Sequence, residues 1–493
     1  MTLTIILVYL VLVLVIGSIS HRLFRGTGED YFVASRSIGP FLLLMSLFGT
    51  NMTAFAILGA SGEAYHTGIG VFGLMASASA LVIPTVFYFI GTRLWALGKR
   101  HGFLTQVQYF RQRWDSDGFG LALFVVLIGL LIPYLLIGVM GGGLTLHQMT
   151  KGAVPEWVGG LLVCAVVMTY VCFGGLRGTA WANAFQTLVF MILGGVAFYV
   201  IIGKLGGLTA VMTAVGERHP DLLVRGEHIK PIQLLSYTCI PLSVGMFPHL
   251  FMHWLTARRV ETFRWPLVLY PICIMAVWIP SITLGIAGRL DFPSLIGPAA
   301  NSIIVKVIDL HAPEMLAGFL AAGVFAAIMS SLDSQVLSMG TMFTQDIVRH
   351  YGFRDDMSER QQIMWGRVFV VAVLLVTYIL SLVFTRSIFK LGIWSFTGFA
   401  SLFPLVVAAL FWKRSTKHGA MASLLSVVVL WLYFFMQGSE TAGYTVGGTG
   451  LMPVAVIVAV SALVMIVVSL LTKLPPAAVI ERFFPSSPVQ SDG

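Results

Sequence analysis

Charge is what this sequence has least of. Asp, Glu, Lys and Arg make up 10% of its 493 residues, against about 25% in an ordinary soluble domain. That scarcity excludes a chain whose surface faces water on all sides. Cysteine is rare too. Cys164, Cys172, Cys239 and Cys273 all fall inside apolar runs, which excludes a disulfide framework or a paired-cysteine metal site. No HExxH or GxSxG occurs, and no base stands beside a nucleophile, so enzyme chemistry finds no machinery here. The formal net charge of +9 sits in short loops between apolar runs. No arm or stripe exists to bind nucleic acid.

What is present is apolar length. Hydrophobic residues make up 57% of the chain, and mean hydropathy is +0.90. A helix needs about 20 apolar residues to cross about 30 Å of hydrocarbon. Qualifying runs lie near 3–21, 38–61, 67–97, 119–145, 156–174, 179–203, 232–255, 266–288, 315–346, 366–385, 388–411, 418–437 and 450–472. The runs lack the two-residue alternation of a barrel wall. The expected fold class is an all-α polytopic membrane protein with about thirteen transmembrane helices. The first run lacks a basic leader and a cleavage site, so it is expected to be a retained helix.

Thirteen spans would put the termini on opposite sides. Most of the 30 lysines and arginines fall in loops that are inner if the N-terminus is outside, as the positive-inside rule requires. The expected organisation is one transmembrane domain over residues 1–474 and a cytoplasmic tail over 475–493, disordered at its end. The expected location is the plasma membrane, with the N-terminus outside.

Two spans carry breakers at mid-depth. SLFGTNMTAFAILGASG contains Gly49, Thr50, Asn51 and Thr53. YTCIPLSVGMFPHLFMHWL contains Pro241, Gly245 and Pro248. Proline removes a backbone donor and clashes with the preceding turn. Backbone freed in lipid must face protein, water or an ion. The breaks lie five spans apart, so their helices run in opposite directions. That is the pattern of inverted repeats with a site between them. Simple proline kinks are the alternative.

The run 315–346 places Ser330, Ser331 and Asp333 in the middle of an apolar helix. A carboxylate at the bilayer centre costs about 2.5–3.5 kcal/mol on insertion scales. Ser330 and Ser331 follow Ala327 by three and four positions, which puts all three on one face. Their two hydroxyls, the Ala327 carbonyl and carbonyls of an unwound Gly49–Met52 would supply five hard oxygens. Such oxygens suit a small hard cation. By this argument alone the ion is sodium, lithium or a hydrated proton.

These segments resemble a known family. DYFVASRSIG (Asp30 to Gly39), GASGEAYHTG (Gly59 to Gly68), GGLRGTAWANAFQ (Gly174 to Gln186), FPHLFMHWLTAR (Phe247 to Arg258) and AAIMSSLDSQVLSMGTMFTQDI (Ala326 to Ile347) are similar, in order, to motifs of the sodium:solute symporter family. That family includes sodium/glucose, sodium/proline and sodium/sialic acid transporters. The resemblance implies a leucine-transporter-type fold. Its two inverted five-helix repeats would lie at about 38–203 and 232–411, with flanking helices. It implies sodium-coupled symport of a small organic solute by alternating access. The implied sodium ligands are the carbonyls of Gly49, Met52 and Ala327 and the hydroxyls of Ser330 and Ser331.

The chain departs from the family pattern at two places. Relatives with a second sodium carry aspartate where this chain has Asn183, and small or hydroxyl residues where it has Asp333. The charge would have crossed the site, giving a second ion site of Asn183, Asp333 and Ser334. Alternatively Asp333 bonds Asn183 or a backbone amide, or carries a proton, which leaves proton coupling open. At the solute pocket, Ala56 and Phe247 stand where glutamines are usual. Asn51, Phe55, Tyr134 and Phe247 are the candidate pocket residues. Half-helix N-termini there would hold a carboxylate, so an organic acid or amino acid fits better than a sugar. A transporter-like solute sensor is the other reading, but no signalling module is recognisable. His249 and His253, four apart, are expected to be packing histidines. Asp346 and Arg349 are expected to pair locally or anchor a loop.

Overall fold

A computed structural model describes residues 2–22, 36–225, 229–352, 358–384, 387–439, 441 and 443–484. Asp30 to Ser35 of the first motif, Arg25, Arg354 and the tail from 485 lie outside the described residues. The described chain is helical, with no strand beyond an isolated bridge between Ile38 and Ala257.

The helices, in chain order, begin with α1 (Thr2–Arg22), α2 (Pro40–Asn51), α3 (Phe55–Thr67), α4 (Gly70–His101), α5 (Gln106–Trp114) and α6 (Asp117–Met149). Next come α7 (Glu156–Lys204), α8 (Leu208–Arg218), α9 (Pro231–Gly245), α10 (Pro248–Leu255), α11 (Val260–Asp291) and α12 (Ile303–His311). The last six are α13 (Glu314–Val348), α14 (Glu359–Val383), α15 (Ile388–Phe411), α16 (Lys417–Gly438), α17 (Pro453–Leu471) and α18 (Ala477–Phe483).

Local chemistry sets several of these starts. The Thr105 hydroxyl accepts from the Gln108 N–H at 3.1 Å, and Thr416 accepts from Gly419 at 3.1 Å. Each satisfies a first-turn donor that has no partner within the helix.

Both expected breaks occur. α2 and α3 meet at 60°, and α9 and α10 at 52°. The first break falls later than the glycine suggested. Gly49 is still helical, and the chain leaves the helix at Met52 (φ −91°, ψ 104°). Thr53 explains the position. Its hydroxyl accepts from the Phe55 N–H at 3.0 Å, a local bond that competes with the helical ladder. At the second break, Phe247 is extended (φ −69°, ψ 120°) and Pro248 opens α10, as proline at a first helical position does.

The expected count of thirteen spans is not confirmed among the described residues. Among the described residues nine helices are long and apolar enough to cross a membrane, or up to eleven if each bent pair is one span. Thr2–Ile16 and Glu156–Thr169 are shorter apolar helices. The expected spans 156–174 and 179–203 are joined in α7, whose backbone stays helical through the glycines expected to form a loop. Glycine in a helix costs only about 1 kcal/mol relative to alanine, so it does not by itself force an exit.

α13 is the centre of the bundle. Its apolar window is 83% buried, and it packs most extensively on α7, with α6, α1 and α2 also against it. Arginines gather at one end. Arg36 donates to the carbonyls of Gly98 and Phe103, Arg113 to those of Ala409 and Trp412, and Arg414 to that of Thr472. At the same end Arg482 of α18 donates to Gln112 at 2.6 Å. Asp346 anchors across the bundle and not to Arg349. It accepts from the Thr105 hydroxyl at 2.7 Å and faces Arg111 at 3.6 Å, while Arg349 donates to Gln345.

Small residues let backbones approach in such bundles. A Cβ at Gly285 of α11 would lie 2.3 Å from the Ser61 carbonyl oxygen and 2.8 Å from its Cα. Backbone atoms cannot rotate away, so the helices would have to part. Gly285→Ala is expected to lose about 1–3 kcal/mol, the usual range for overpacking. Gly194→Ala, with open space around it, should be neutral or slightly stabilising. Thermal unfolding of the two purified variants checks this.

Candidate functional site

The end of α2 meets the middle of α13. The last carbonyls of a helix have no partner inside it, and the helix dipole makes that end partly negative. Gly49 supplies one such carbonyl. The Ser330 hydroxyl reaches it at 2.9 Å and the Ala327 carbonyl at 3.0 Å. Three oxygens from two elements therefore converge, all on buried residues. Ser331 is buried as well, with its hydroxyl donated to the Ile328 carbonyl at 3.0 Å. Met52 is buried in the unwound turn itself. Of the five expected sodium ligands, Gly49, Ala327 and Ser330 are in direct contact. A cation entering here would take oxygens that the Ser330 proton now bridges. No ligand set of three or more His, Cys, Asp or Glu occurs among the described residues.

A second polar cluster lies one turn along α13. The Asn183 amide of α7 donates to the Ser334 hydroxyl at 2.7 Å. Ser334 donates to Asp333 Oδ1 at 3.1 Å, and His253 Nε2 lies 3.1 Å from the Ser334 oxygen. A serine has one proton and two lone pairs. With the proton on Asp333, both lone pairs accept, which fixes His253 as the Nε2–H tautomer. The Asn183 side-chain carbonyl and His253 Nδ1 are buried with no hydrogen-bond partner. Asn183 thus reaches Asp333 through Ser334. Sequence reasoning assigned His253 to packing. The signal was its four-residue step from His249, but nothing local named Ser334 as its partner.

The third feature is an aromatic wall between the two breaks. Phe55 meets Phe396 edge-on at 5.0 Å, and Tyr134 meets Phe396 at 4.9 Å. Tyr134 and Phe247 are 5.3 Å apart, and Phe247 stacks on His249 at 5.0 Å. Phe55, Tyr134 and Phe247 are therefore brought together, with Phe396 and His249 as members that sequence reasoning missed. Asn51 donates to the Tyr270 hydroxyl at 2.7 Å. The Tyr134 hydroxyl and both His249 ring nitrogens are buried without a hydrogen-bond partner.

Broken helices around a central polar site define a multi-pass membrane transporter that works by alternating access. A family model described as the sodium:solute symporter family matches residues 31–426. The chain belongs to that family, and its activity is sodium-coupled symport of a small solute. It is 26% identical to the sodium/proline symporter of Escherichia coli (strain K12), over 97% of this chain and 94% of that protein. It is 25% identical to an osmoregulated proline transporter of Bacillus subtilis (strain 168), over 96% and 95%. Among solved structures, a Na+-coupled sialic acid symporter in a substrate-bound outward-open state superposes with a TM-score of 0.79 at 17% identity. That match covers 96% of this chain and 98% of the other. Mhp1, a nucleobase-cation-symport-1 family transporter, matches at 0.60 and 14% identity, over 93% and 99%. These likenesses establish the leucine-transporter-type fold.

The first site is tightly fitted. A Cβ at Gly49 would fall 2.1 Å from Thr187 Oγ1 and 3.3 Å from the Asn183 carbonyl. Gly49→Ala is therefore expected to displace the Gly49 carbonyl and raise the sodium concentration for half-maximal uptake by about tenfold, roughly 1.4 kcal/mol. Removing the obstructing hydroxyl in Gly49→Ala/Thr187→Ala should recover part of that loss, as coupled neighbours do. Uptake titrated with sodium in proteoliposomes reads both.

Proposed function

We propose that the chain carries a small solute with an apolar body and a carboxylate, such as an amino acid, inward with sodium. The observation that carries the ion assignment is the Ser330 hydroxyl joining the Gly49 and Ala327 carbonyls across two elements. Gly49, Met52, Ala327, Ser330 and Ser331 form the sodium site. Sodium there holds α2 to α13 and favours the outward-facing state. Return to the inward-facing state is driven by the sodium gradient and the membrane potential. One charge moved across 100 mV is worth about 2.3 kcal/mol, which corresponds to roughly fiftyfold accumulation.

The solute assignment rests on the aromatic wall of Phe55, Tyr134 and Phe247. Aromatic faces bury an apolar body, while the unpaired Tyr134 hydroxyl and His249 ring offer hydrogen bonds to its polar end. A sugar would leave too many hydroxyls unmatched against phenyl rings. The proline transporters among the relatives support an apolar-bodied amino acid.

The second site, Asn183, Asp333 and Ser334, takes a further cation, with Asp333 as the charged ligand and the Asn183 carbonyl as a neutral one. Ser334 contributes less, because both its lone pairs already accept hydrogen bonds. The repeats run about 38–203 and 232–411 in one domain ending near 474. The arginine-rich end faces the cytoplasm of a plasma membrane, which puts the N-terminus outside and the tail inside.

Radiolabelled proline and a panel of amino and organic acids, offered to proteoliposomes with and without a sodium gradient, test the solute class. Ser330→Ala is expected to raise the half-maximal sodium concentration by about tenfold. Uptake that ignores sodium, or a Ser330→Ala variant that activates like the parent, would sink the ion assignment. Asp333→Asn should likewise weaken sodium activation, and Ser334→Ala should do so more mildly. Sodium dependence unchanged in Asp333→Asn removes the second site.

A further inference from the structure

The two breaks are satisfied by different means. At the first, the Ser330 hydroxyl of α13 reaches the Gly49 carbonyl. At the second, Pro248 brings no N–H. The ladder of α10 begins at the Phe247 carbonyl, which accepts from the Phe251 N–H at 3.0 Å. The Met246 carbonyl falls before that ladder. It is met by a side chain 140 residues away in the chain, the Gln106 amide, which donates to it at 3.0 Å.

Gln106 is the first residue of α5 and is buried. Its neighbour Thr105, the cap of that helix, is buried too. A threonine hydroxyl has one proton to give. Thr105 accepts from the Gln108 N–H and donates that proton to Asp346 Oδ2 at 2.7 Å. Arg111, further along α5, faces the other carboxylate oxygen at 3.6 Å. Two adjacent side chains of one short helix therefore hold a carboxylate of α13 and the freed carbonyl of the second break.

Satisfying a buried carbonyl is reason enough for a hydrogen-bond donor at 106. It does not explain why the donor comes from a helix fastened to α13. The positions of the two partners do. Met246 directly precedes Phe247 of the aromatic wall. Asp346 follows Ser330 by 16 positions, about 24 Å along a helix. α13 is helical over that whole length and lies at the centre of the bundle. A rigid rod thus joins the serine at the first break to the carboxylate that holds α5.

We propose that Gln106 is a positioning residue of the transport cycle, which with Thr105 and Asp346 carries sodium binding at Ser330 from α13 to the second break. This rests on the reading of Gly49, Ala327 and Ser330 as the sodium site. Sodium fixes α13 against α2. Asp346 is fixed with it, Thr105 keeps α5 seated there, and Gln106 holds the Met246 carbonyl. The junction of α9 and α10 is the element that is biased, and Phe247 is set by it. A hydrogen-bonded chain of this kind is a physical route for coupling. The second break is then ordered by the ion although no ion ligand lies on it.

The test is amide hydrogen exchange of the purified full-length chain in sodium chloride against potassium chloride at constant ionic strength. It is read at peptides spanning the two breaks, 46–58 and 240–252, and needs no solute. Exchange reports local opening. At sodium ten times its half-saturating concentration, opening that requires the empty site slows about tenfold. In the parent this slowing is expected at both breaks. Gln106→Leu keeps the volume and removes the donor. It should retain the slowing at the first break and lose most of it at the second. Thr105→Val should do the same, and Thr105→Ser, which keeps the hydroxyl, should behave as the parent. The inference is overturned if the parent responds at the first break only, if Gln106→Leu still responds at both, or if it responds at neither, since Gln106 then serves general packing. No sodium response at the first break of the parent sinks the sodium site itself, and the inference falls with it.

Discussion

A backbone that stops being helical inside a bilayer must find partners that lipid does not supply, and most of this structure follows from how α2 finds them. Its closing carbonyls cannot continue into α3, which departs at 60°. One of them meets the Ser330 hydroxyl of α13. That bond requires a serine where the two helices cross. It also requires α7 to come close on the other side of Gly49, where a Cβ would meet Thr187. The same oxygens that satisfy the break are those a small cation prefers. The structural solution and the proposed ion site are one set of atoms.

The second cluster obeys a different constraint. A carboxylate at the buried middle of α13 must be neutralised or shared. Here Asn183, Ser334 and His253 form a chain of hydrogen bonds leading to Asp333. Removing one member leaves buried groups unmatched, which is why such networks are costly to disturb.

Much of this was legible in the sequence because the membrane simplifies the code. Apolar runs gave the bounds of Ile388–Phe411 and came within a few residues of Glu314–Val348. Breakers at mid-depth marked both bends. The step from Ala327 to Ser330 placed the serine on the face of the Ala327 carbonyl, and the family resemblance carried the Gly49 partner. The rest was hidden because it depends on pairings far apart in the chain. Nothing near Asn51 indicates that its amide belongs to Tyr270, or that Asp346 reaches past Arg349 to the cap of α5. The continuity of α7 ran against the glycine signal, because neighbouring helices decide whether a tolerated residue becomes a turn. Phe396 and His249 were hidden for the same reason. Aromatic residues look alike in sequence whether they fill a core or line a pocket.

Coupling between ion and solute has a physical route in this arrangement. Ion coupling needs differential contacts, not proximity alone. The Gly49 carbonyl lies on one side of the unwound turn, and Phe55 lies on the other, at the edge of the aromatic wall. Between them Thr53 fixes the turn by accepting from the Phe55 N–H. A cation that pulls the end of α2 toward Ser330 therefore acts on the same short segment that positions Phe55 against Phe396. A solute that pushes Phe55 aside acts back on Gly49 through that segment, as reciprocity demands. On the proposed assignment, the break in the helix is the element that both ligands would bias. A continuous helix would offer neither the carbonyl to the ion nor the mobility to the ring.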